Sequence, residues 1–350
     1  MLTFLILSLL VLLHELGHFL AARKFGVKVL EFGFGLPPKL VRLGRRGGTE
    51  YTLNWLPLGG FVRLFGEDND MGGKSRWVRF AILVAGVSAN LLVGIAMFAL
   101  VYSVVGVPTL GDSRVVVSQV VEGSPADLAG ITEGDVVVTL AGEEVVSSSS
   151  FVETVGAKKG EMLTMYVTPL LPDGTVGENS RQVSLIPRTD PPEGEGAIGV
   201  GVVEVPSITY DKKPWYLAPF YGVVEGVKEA YLWGVEIMRG MVQLFGGLLR
   251  GTLPAEMSGP VGVWQAGEKI QDQSGILGSI RFGAILSLNL AVFNLLPIPG
   301  LDGGRILFLL FEGVFGKKRV SKYEGLVNGA GIIFLIALLI FITFKDIAKL

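Results

Sequence analysis

Four stretches of the chain are apolar over a length that matches a lipid bilayer. They are Leu2 to Ala22, Phe80 to Val105, about Ile276 to Leu296, and Gly329 to Phe344. A helix rises 1.5 Å per residue, so roughly 20 residues cross the hydrocarbon core, and each run predicts a transmembrane helix. A fifth apolar run, Trp215 to Arg250, differs because Glu225, Glu229, Glu236, Arg239 and Gln243 fall near one helical face. That pattern predicts an amphipathic helix lying in the membrane interface. Between the first two spans the period shortens to two in Val27-Lys28-Val29-Leu30-Glu31-Phe32 and Glu50-Tyr51-Thr52-Leu53, with Pro37-Pro38 and Gly47-Gly48 as turns. These features predict a β-hairpin sheet against or dipping into the membrane, where Gly33, Gly35, Gly59 and Gly60 allow close backbone approach. Residues 112–211 show short β-branched runs, Val115-Val116-Val117 and Val136-Val137-Val138, beside an N-capped helix start at Ser124-Pro125. They have the length of an independent soluble domain.

The predicted fold class is an α-helical membrane protein: four transmembrane helices, a membrane-associated β-hairpin loop and an inserted β-rich domain. In chain order the assignments are 1–22 (first span), 23–76 (β-loop), 77–106 (second span), 112–205 (inserted domain), 212–256 (interfacial helix region), 276–304 (third span) and 325–345 (fourth span). Composition agrees: half the residues are hydrophobic, 18% are charged and mean hydropathy is +0.54. A net charge of −2 gives nucleic acid binding no electrostatic support. Cysteine is absent, so a metal would have to be held by His, Asp or Glu.

Charge distribution orients the spans. Residues 23–79 hold eleven basic side chains and the loop from Arg305 to Lys322 holds five, whereas 112–211 carry 16 acidic residues and few basic ones. The excess of Lys and Arg in short cytoplasmic loops puts both basic segments inside the cell and the acidic domain outside. The first run lacks a preceding basic region and a good cleavage site at Ala21-Ala22-Arg23, so it reads as a retained span and not a signal peptide.

The two histidines of the chain, His14 and His18, both lie within the first span, in His14-Glu15-Leu16-Gly17-His18. Ionisable groups in a span are costly and mark function. Positions i and i+4 share a helix face, so both imidazoles can reach one metal with Glu15 beside it. A catalytic zinc site needs a third protein ligand and an open position for water. Asp302 suits: it follows the Pro297-Ile298-Pro299 break, precedes Gly303-Gly304, and falls at the same depth as the histidines if the fifth run does not cross. Taken alone, Asp302 reads first as the N-cap of the Gly303–Phe311 segment, and ligation gains weight from the histidine motif and the matching depth. Zinc would lower the pKa of a water, and Glu15 is placed to accept its proton. Asn294 and Asn289 are candidate donors to a developing oxyanion or to substrate. A transporter or metal sensor would show several polar ligands along a path, where this chain offers one cluster.

Two resemblances sharpen this reading. Val120-Val121-Glu122-Gly123-Ser124-Pro125-Ala126 through Ala129-Gly130-Ile131-Thr132-Glu133-Gly134-Asp135-Val136-Val137, closing with Ala141-Gly142-Glu143, resembles a PDZ domain of the bacterial protease-associated type. Such domains use a strand-edge groove for extended peptides or C-termini. The whole chain resembles the site-2 protease family of intramembrane zinc metalloproteases, near its bacterial members that cleave membrane-anchored anti-sigma factors. The resemblance rests on the histidine motif, Gly59-Gly60-Phe61-Val62, Gly66-Glu67, the PDZ-like segment, Ser258-Gly259-Pro260-Val261-Gly262, and Asn294 to Gly304. It implies zinc on His14, His18 and Asp302, water activation by Glu15, substrate or oxyanion contact by Asn294, strand pairing of the hairpin loop with substrate, and a PDZ domain restricting access to shortened substrates. Some members carry two PDZ domains; this chain has room for one. The implied location is the bacterial cytoplasmic (inner) membrane, with the site near its cytoplasmic face.

Overall fold

Glycine sets how closely the helices of the membrane region pack. The computed structural model describes residues 2–66, 71, 73–171, 176–177, 179–192, 194–250 and 259–348. Glu67, Ser258 and the 251–256 end of the expected interfacial region lie outside these. Helix α1 (Leu2–Lys24) runs antiparallel to α2 (Arg76–Val105). At Gly17 the helices touch: a Cβ there would lie 2.5 Å from the Ala85 carbonyl oxygen. Small residues at such crossings admit the dispersion contacts that replace the hydrophobic effect between helices in lipid.

Strands β1 (Val29–Arg46) and β2 (Thr49–Leu64) follow α1 and form an antiparallel ribbon. The ribbon folds over, so that Glu31, Phe32, Gly33 and Phe34 each have two partners; Phe32 faces both Val62 and Tyr51. The runs 60–64 and 39–46 are therefore its two edges. Phe19, Ala22, Val27, Val29, Leu64, Met71 and Ile82 bury one face of this sheet against α1 and the start of α2. Gly59 and Gly60 bring the 60–64 edge onto α1, since Cβ atoms on them would meet Val11 at 2.5 Å and Leu12 at 3.0 Å. The expected close backbone approach is thus made to the motif helix.

Residues from Val105 to Lys212 are a separate compact unit. Its elements are β3 (Val107–Val120), α3 (Pro125–Leu128), β4 (Asp135–Leu140), β5 (Glu143–Glu144), α4 (Ser148–Ala157), β6 (Leu163–Pro169), β7 (Arg181–Leu185) and β8 (Val200–Asp211). The sheet order is β7-β6-β4-β3-β8, with β5 on β4. Fully buried Val115, Val117, Val137, Leu140, Leu163, Met165 and Val167 make its core. Ser124 caps α3, its Oγ accepting from the Asp127 amide at 3.3 Å with Pro125 in the first turn. The unit extends beyond the 112–205 expected, because Val107 to Leu110 pair with Ile208 to Asp211. The pairing of Val107 with Asp211 sets entry and exit side by side. An insertion of this size therefore leaves the flanking helices free to pack with each other.

In the first unit the chain resumes with α5 (Ala218–Leu249), α6 (Pro260–Leu295), α7 (Asp302–Phe315) and α8 (Lys317–Ile347). Among the described residues, four helices have the length and hydropathy of membrane spans: Leu2–Lys24, Arg76–Val105, Pro260–Leu295 and Tyr323–Ile347. That is the number the apolar pattern predicts. Helix α6 breaks at Gly275, whose φ of 61° is left-handed, so its apolar half begins at the expected residue 276. Helix α5 is one continuous helix and not a span by those criteria. Its first turns follow α2, with Gly222 on Ser103 and Ala99, and Gly226 on Ala99 and Ile95. The polar residues of its stripe have two different environments. Glu236 pairs with Arg239 at the surface, whereas Glu229 is buried and holds Arg281 of α6 at 2.7 Å.

Leu140 is 1% exposed at the centre of the inserted unit. Truncating it removes buried methyl groups and leaves a cavity, so Leu140→Ala should lower the unfolding free energy of this unit by about 2–5 kcal/mol. Chemical denaturation of wild type and variant measures the difference.

Candidate metal centre

Helix α1 is unbroken through the motif, so His14 and His18 stand one above the other on a buried face. Their rings are edge-to-face, with centroids 4.7 Å apart and Nε2 atoms 3.2 Å apart. Asp302 completes the triangle, its Oδ2 lying 3.1 Å from each Nε2. The N-cap alternative for this residue does not hold. Leu301 occupies the cap position, Asp302 opens α7, and no side-chain cap bond forms. Its carboxylate turns to the imidazoles instead. Gly303 and Gly304 permit the sharp entry into α7, since Cβ atoms there would meet the Leu296 and Ile298 carbonyl oxygens at 2.1 and 2.3 Å. At the far end of α7, Glu312 pairs with Arg79 of α2 at 2.7 Å and fixes the helix that carries Asp302.

The donor set fits a zinc ion. Asp302 Oδ2 is buried without a hydrogen-bond partner. Three lone-pair-bearing atoms within 3.2 Å of one another repel unless a cation lies between them. Ligands at roughly 2.0–2.1 Å on a tetrahedral ion stand about 3.3 Å apart, close to the spacing seen. His18 is already aligned: its Nδ1 lies 2.8 Å from the Ile82 carbonyl oxygen, which can only accept, so Nδ1 carries the proton and Nε2 faces the centre. Space is kept by Gly86 of α2, where a Cβ would lie 2.3 Å from His18 Nε2 and 2.9 Å from His14 Cε1.

Glu15 sits beside this triangle. Its Oε2 accepts a 3.0 Å hydrogen bond from the Val62 amide, on the 60–64 edge of the β-sheet. Glu15, His18 and Asp302 line one cavity with Phe61, Val62, Gly300, Leu301 and Arg305. A carboxylate, two corners of the metal-binding triangle (His18 and Asp302) and the 60–64 strand edge thus open on the same space.

The structure brings His14, Glu15, His18 and Asp302 together, as the sequence leads one to expect. It does not bring the two asparagines into that cavity. Asn294 is half-buried on α6, and Asn289 is exposed, with Ser287, Leu288 and Ala291 taking the buried face. Three groups at the site are additions. Asn90 is the most polar side chain of the Phe80–Val105 run, and its neighbours in sequence indicate no partner for it. Gly86 was one small residue among many in an apolar run, and the Val62 backbone amide leaves no trace in residue type.

A multi-pass membrane protein that gathers two histidines, an aspartate and a glutamate beside a cavity has the layout of a membrane metallohydrolase. The chain belongs to peptidase family M50, whose model matches residues 2–338. It is 28% identical to the zinc metalloprotease RasP of Geobacillus kaustophilus over 97% of this chain and 95% of that protein. Two further relatives carry a provisional zinc metalloprotease designation. One, from Agrobacterium fabrum, is 29% identical over 99% of this chain and 94% of its own length. The other, from Clostridium acetobutylicum, is 31% identical over 97% and 94%. The protein is a zinc metalloprotease of the site-2 type.

Gly86 gives a direct test of the centre. A methyl group there occupies the space between the imidazoles, so Gly86→Ala should lower bound zinc from one equivalent to below about a tenth. Metal analysis of the purified, detergent-folded variant measures it.

Proposed function

We propose that this protein is an intramembrane endopeptidase that cuts single-span membrane proteins within or next to their transmembrane segments. Membrane-anchored anti-sigma factors and signal-peptide remnants are the substrate types this reading favours. The observation that carries it is the juxtaposition of Glu15, the His18–Asp302 side of the His14–His18–Asp302 triangle and the 60–64 strand edge at one cavity.

In this reading His14, His18 and Asp302 hold zinc. When bound, zinc would supply Lewis acidity, lowering the pKa of a water and polarising the scissile carbonyl. Glu15 takes the proton from the attacking water and returns it to the leaving amine. The Val62 amide orients that carboxylate, which otherwise rotates freely about its terminal torsion. Asn294 supplies a donor to substrate or to the developing oxyanion when the substrate chain passes along α6. Asn289, exposed one and a half turns earlier, serves the bound chain at most as an outer contact.

A helical substrate hides its peptide bonds in intrahelical hydrogen bonds, and lipid offers no replacement. Unwinding is tolerated if the freed groups pair with protein. Among the described residues the 60–64 run pairs with the sheet through 29–34, and an extended substrate strand would add along its outer side, next to Glu15. The unit from Val105 to Lys212 is assigned as the PDZ domain, extracytoplasmic, taking a peptide or substrate C-terminus or excluding large ectodomains. Helix α5 is assigned to the membrane boundary. The protein resides in the cytoplasmic (inner) membrane with its site towards the cytoplasmic face, as the basic residues of 23–79 and 305–322 indicate.

Cleavage of a single-span reporter in proteoliposomes tests the mechanism. Glu15→Gln should keep one zinc per chain and lose cleavage by about 10²–10⁴-fold; cleavage at the wild-type rate would remove Glu15 from the chemistry. Unwinding makes a separate forecast. Reporters with Gly or Pro near the scissile bond should be cut several times faster than an all-Leu span, and equal rates would contradict a requirement for local unwinding.

A further inference from the structure

Two imidazoles face the metal triangle, and only one has its tautomer fixed by an obligatory acceptor. For His18 that acceptor is the Ile82 carbonyl. For His14 the group behind the ring is the side-chain amide of Asn90, fully buried on α2, whose Nδ2 lies 3.3 Å from His14 Nδ1. Taken literally, the amide nitrogen donates to Nδ1. A neutral imidazole then carries its proton on Nε2, pointing at His18 Nε2 and Asp302 Oδ2, where a metal ligand must offer a lone pair. The same placement leaves Asn90 Oδ1 buried with no partner, which is costly for a polar atom removed from water.

One rotation of the amide resolves both conflicts. Oxygen and nitrogen of an asparagine amide are nearly isosteric and are assigned from their hydrogen bonds. With the amide turned over, Oδ1 accepts from His14 Nδ1–H, the orphaned oxygen gains a donor, and Nε2 presents its lone pair to the triangle. We infer that Asn90 is a positioning residue for the zinc site: its side-chain oxygen accepts from His14 Nδ1–H and holds the ring in the metal-binding tautomer, as the Ile82 carbonyl does for His18. Asn90 is itself fixed from the third helix of the site, since Ser287 Oγ, also fully buried, donates to the Asn90 carbonyl at 2.7 Å. The contact runs from α6 through α2 to α1, the helices whose packing brings Asp302 to the histidines. Partners behind metal-bound histidines typically change metal affinity 10–100-fold when removed.

The inference rests on His14 and His18 being the zinc ligands, and the experiment separates the two claims. Zinc dissociation constants are measured by chelator competition on full-length protein in detergent for wild type, Asn90→Ala, Asn90→Asp and His14→Ala. Thermal unfolding of each apo form accompanies them. Asn90→Ala should bind zinc 10–100-fold more weakly with apo stability near wild type. Asn90→Asp can only accept at this position when ionised, so it should bind zinc at least as tightly as wild type. In the cobalt-substituted forms, Asn90→Asp should keep the wild-type visible spectrum and Asn90→Ala should shift it. If Asn90→Ala does not fold, Asn90→Asp alone decides. Zinc binding by Asn90→Asp weakened 10-fold or more would mean that the amide acts as a donor and would overturn the inference. Wild-type affinity in Asn90→Ala would overturn it as well. Wild-type affinity in His14→Ala would instead show that the ligand assignment itself has failed.

Discussion

The structure depends on holding three lone-pair-bearing atoms within 3.2 Å of one another in a place with little water. Nε2 of His14, Nε2 of His18 and Oδ2 of Asp302 repel when nothing cationic lies between them. Helix α1 alone can bring two of them together, because the i, i+4 spacing does so at no conformational cost. The third comes from nearly 290 residues downstream and needs tertiary packing to stay in place. Much of the membrane region serves that end. Glu312 and Arg79 tie the end of α7 to the start of α2, the Asn328 side chain accepts from the Gly300 amide, and Gly331 lets α8 close on Pro299. A buried pair such as Glu312–Arg79 is weak evidence for stability, since desolvation offsets its attraction. It does impose one arrangement, because leaving either charge unpaired in the membrane region costs far more.

Glycine makes the packing possible. Gly17 at the α1–α2 crossing, Gly94 against Leu288 and Ala284, and Gly283 against Ile6 and Met97 each bring helices closer than a Cβ would allow. In lipid there is no hydrophobic drive between helices, so this closeness supplies the association itself. Gly86 differs in kind. The space it leaves is bounded by the imidazoles, so a side chain there would compete with the metal and not with another helix.

The legible parts of this protein were those encoded in local spacing. Helix periodicity gave both histidines a common face, and the Pro297-Ile298-Pro299 break followed by Asp302 marked irregular backbone at the matching depth. Four spans followed from length and hydropathy, and the Gly275 break stands where the third begins. What could not be read required a partner distant in sequence. Asn90 was conspicuous in an apolar span, yet nothing local says that it faces His14 and not lipid. Val62 contributes a backbone amide, which every residue but proline has. The inserted unit began earlier than expected because Val107 to Leu110 gain their role only by pairing with residues a hundred positions later. The charges of α5 show the same limit, since one face of a lone helix cannot tell that Glu229 meets Arg281.

The sheet edge at 60–64 lies against the motif helix. Edge strands are normally covered or charged, because their free amides and carbonyls recruit other chains. Here glycines at 59 and 60 press the edge onto α1 one turn before His14, and the first group to satisfy one of its amides is Glu15. In the resting arrangement the same contact serves both sides: the amide is paired in a water-poor place, and the carboxylate is held beside the metal triangle. A substrate strand entering along that edge would find its hydrogen-bond register set by β2 and its backbone next to Glu15. Under the proposed function, strand addition and base positioning become one geometric fact, because the edge an unwound peptide would pair with is the element whose Val62 amide orients Glu15.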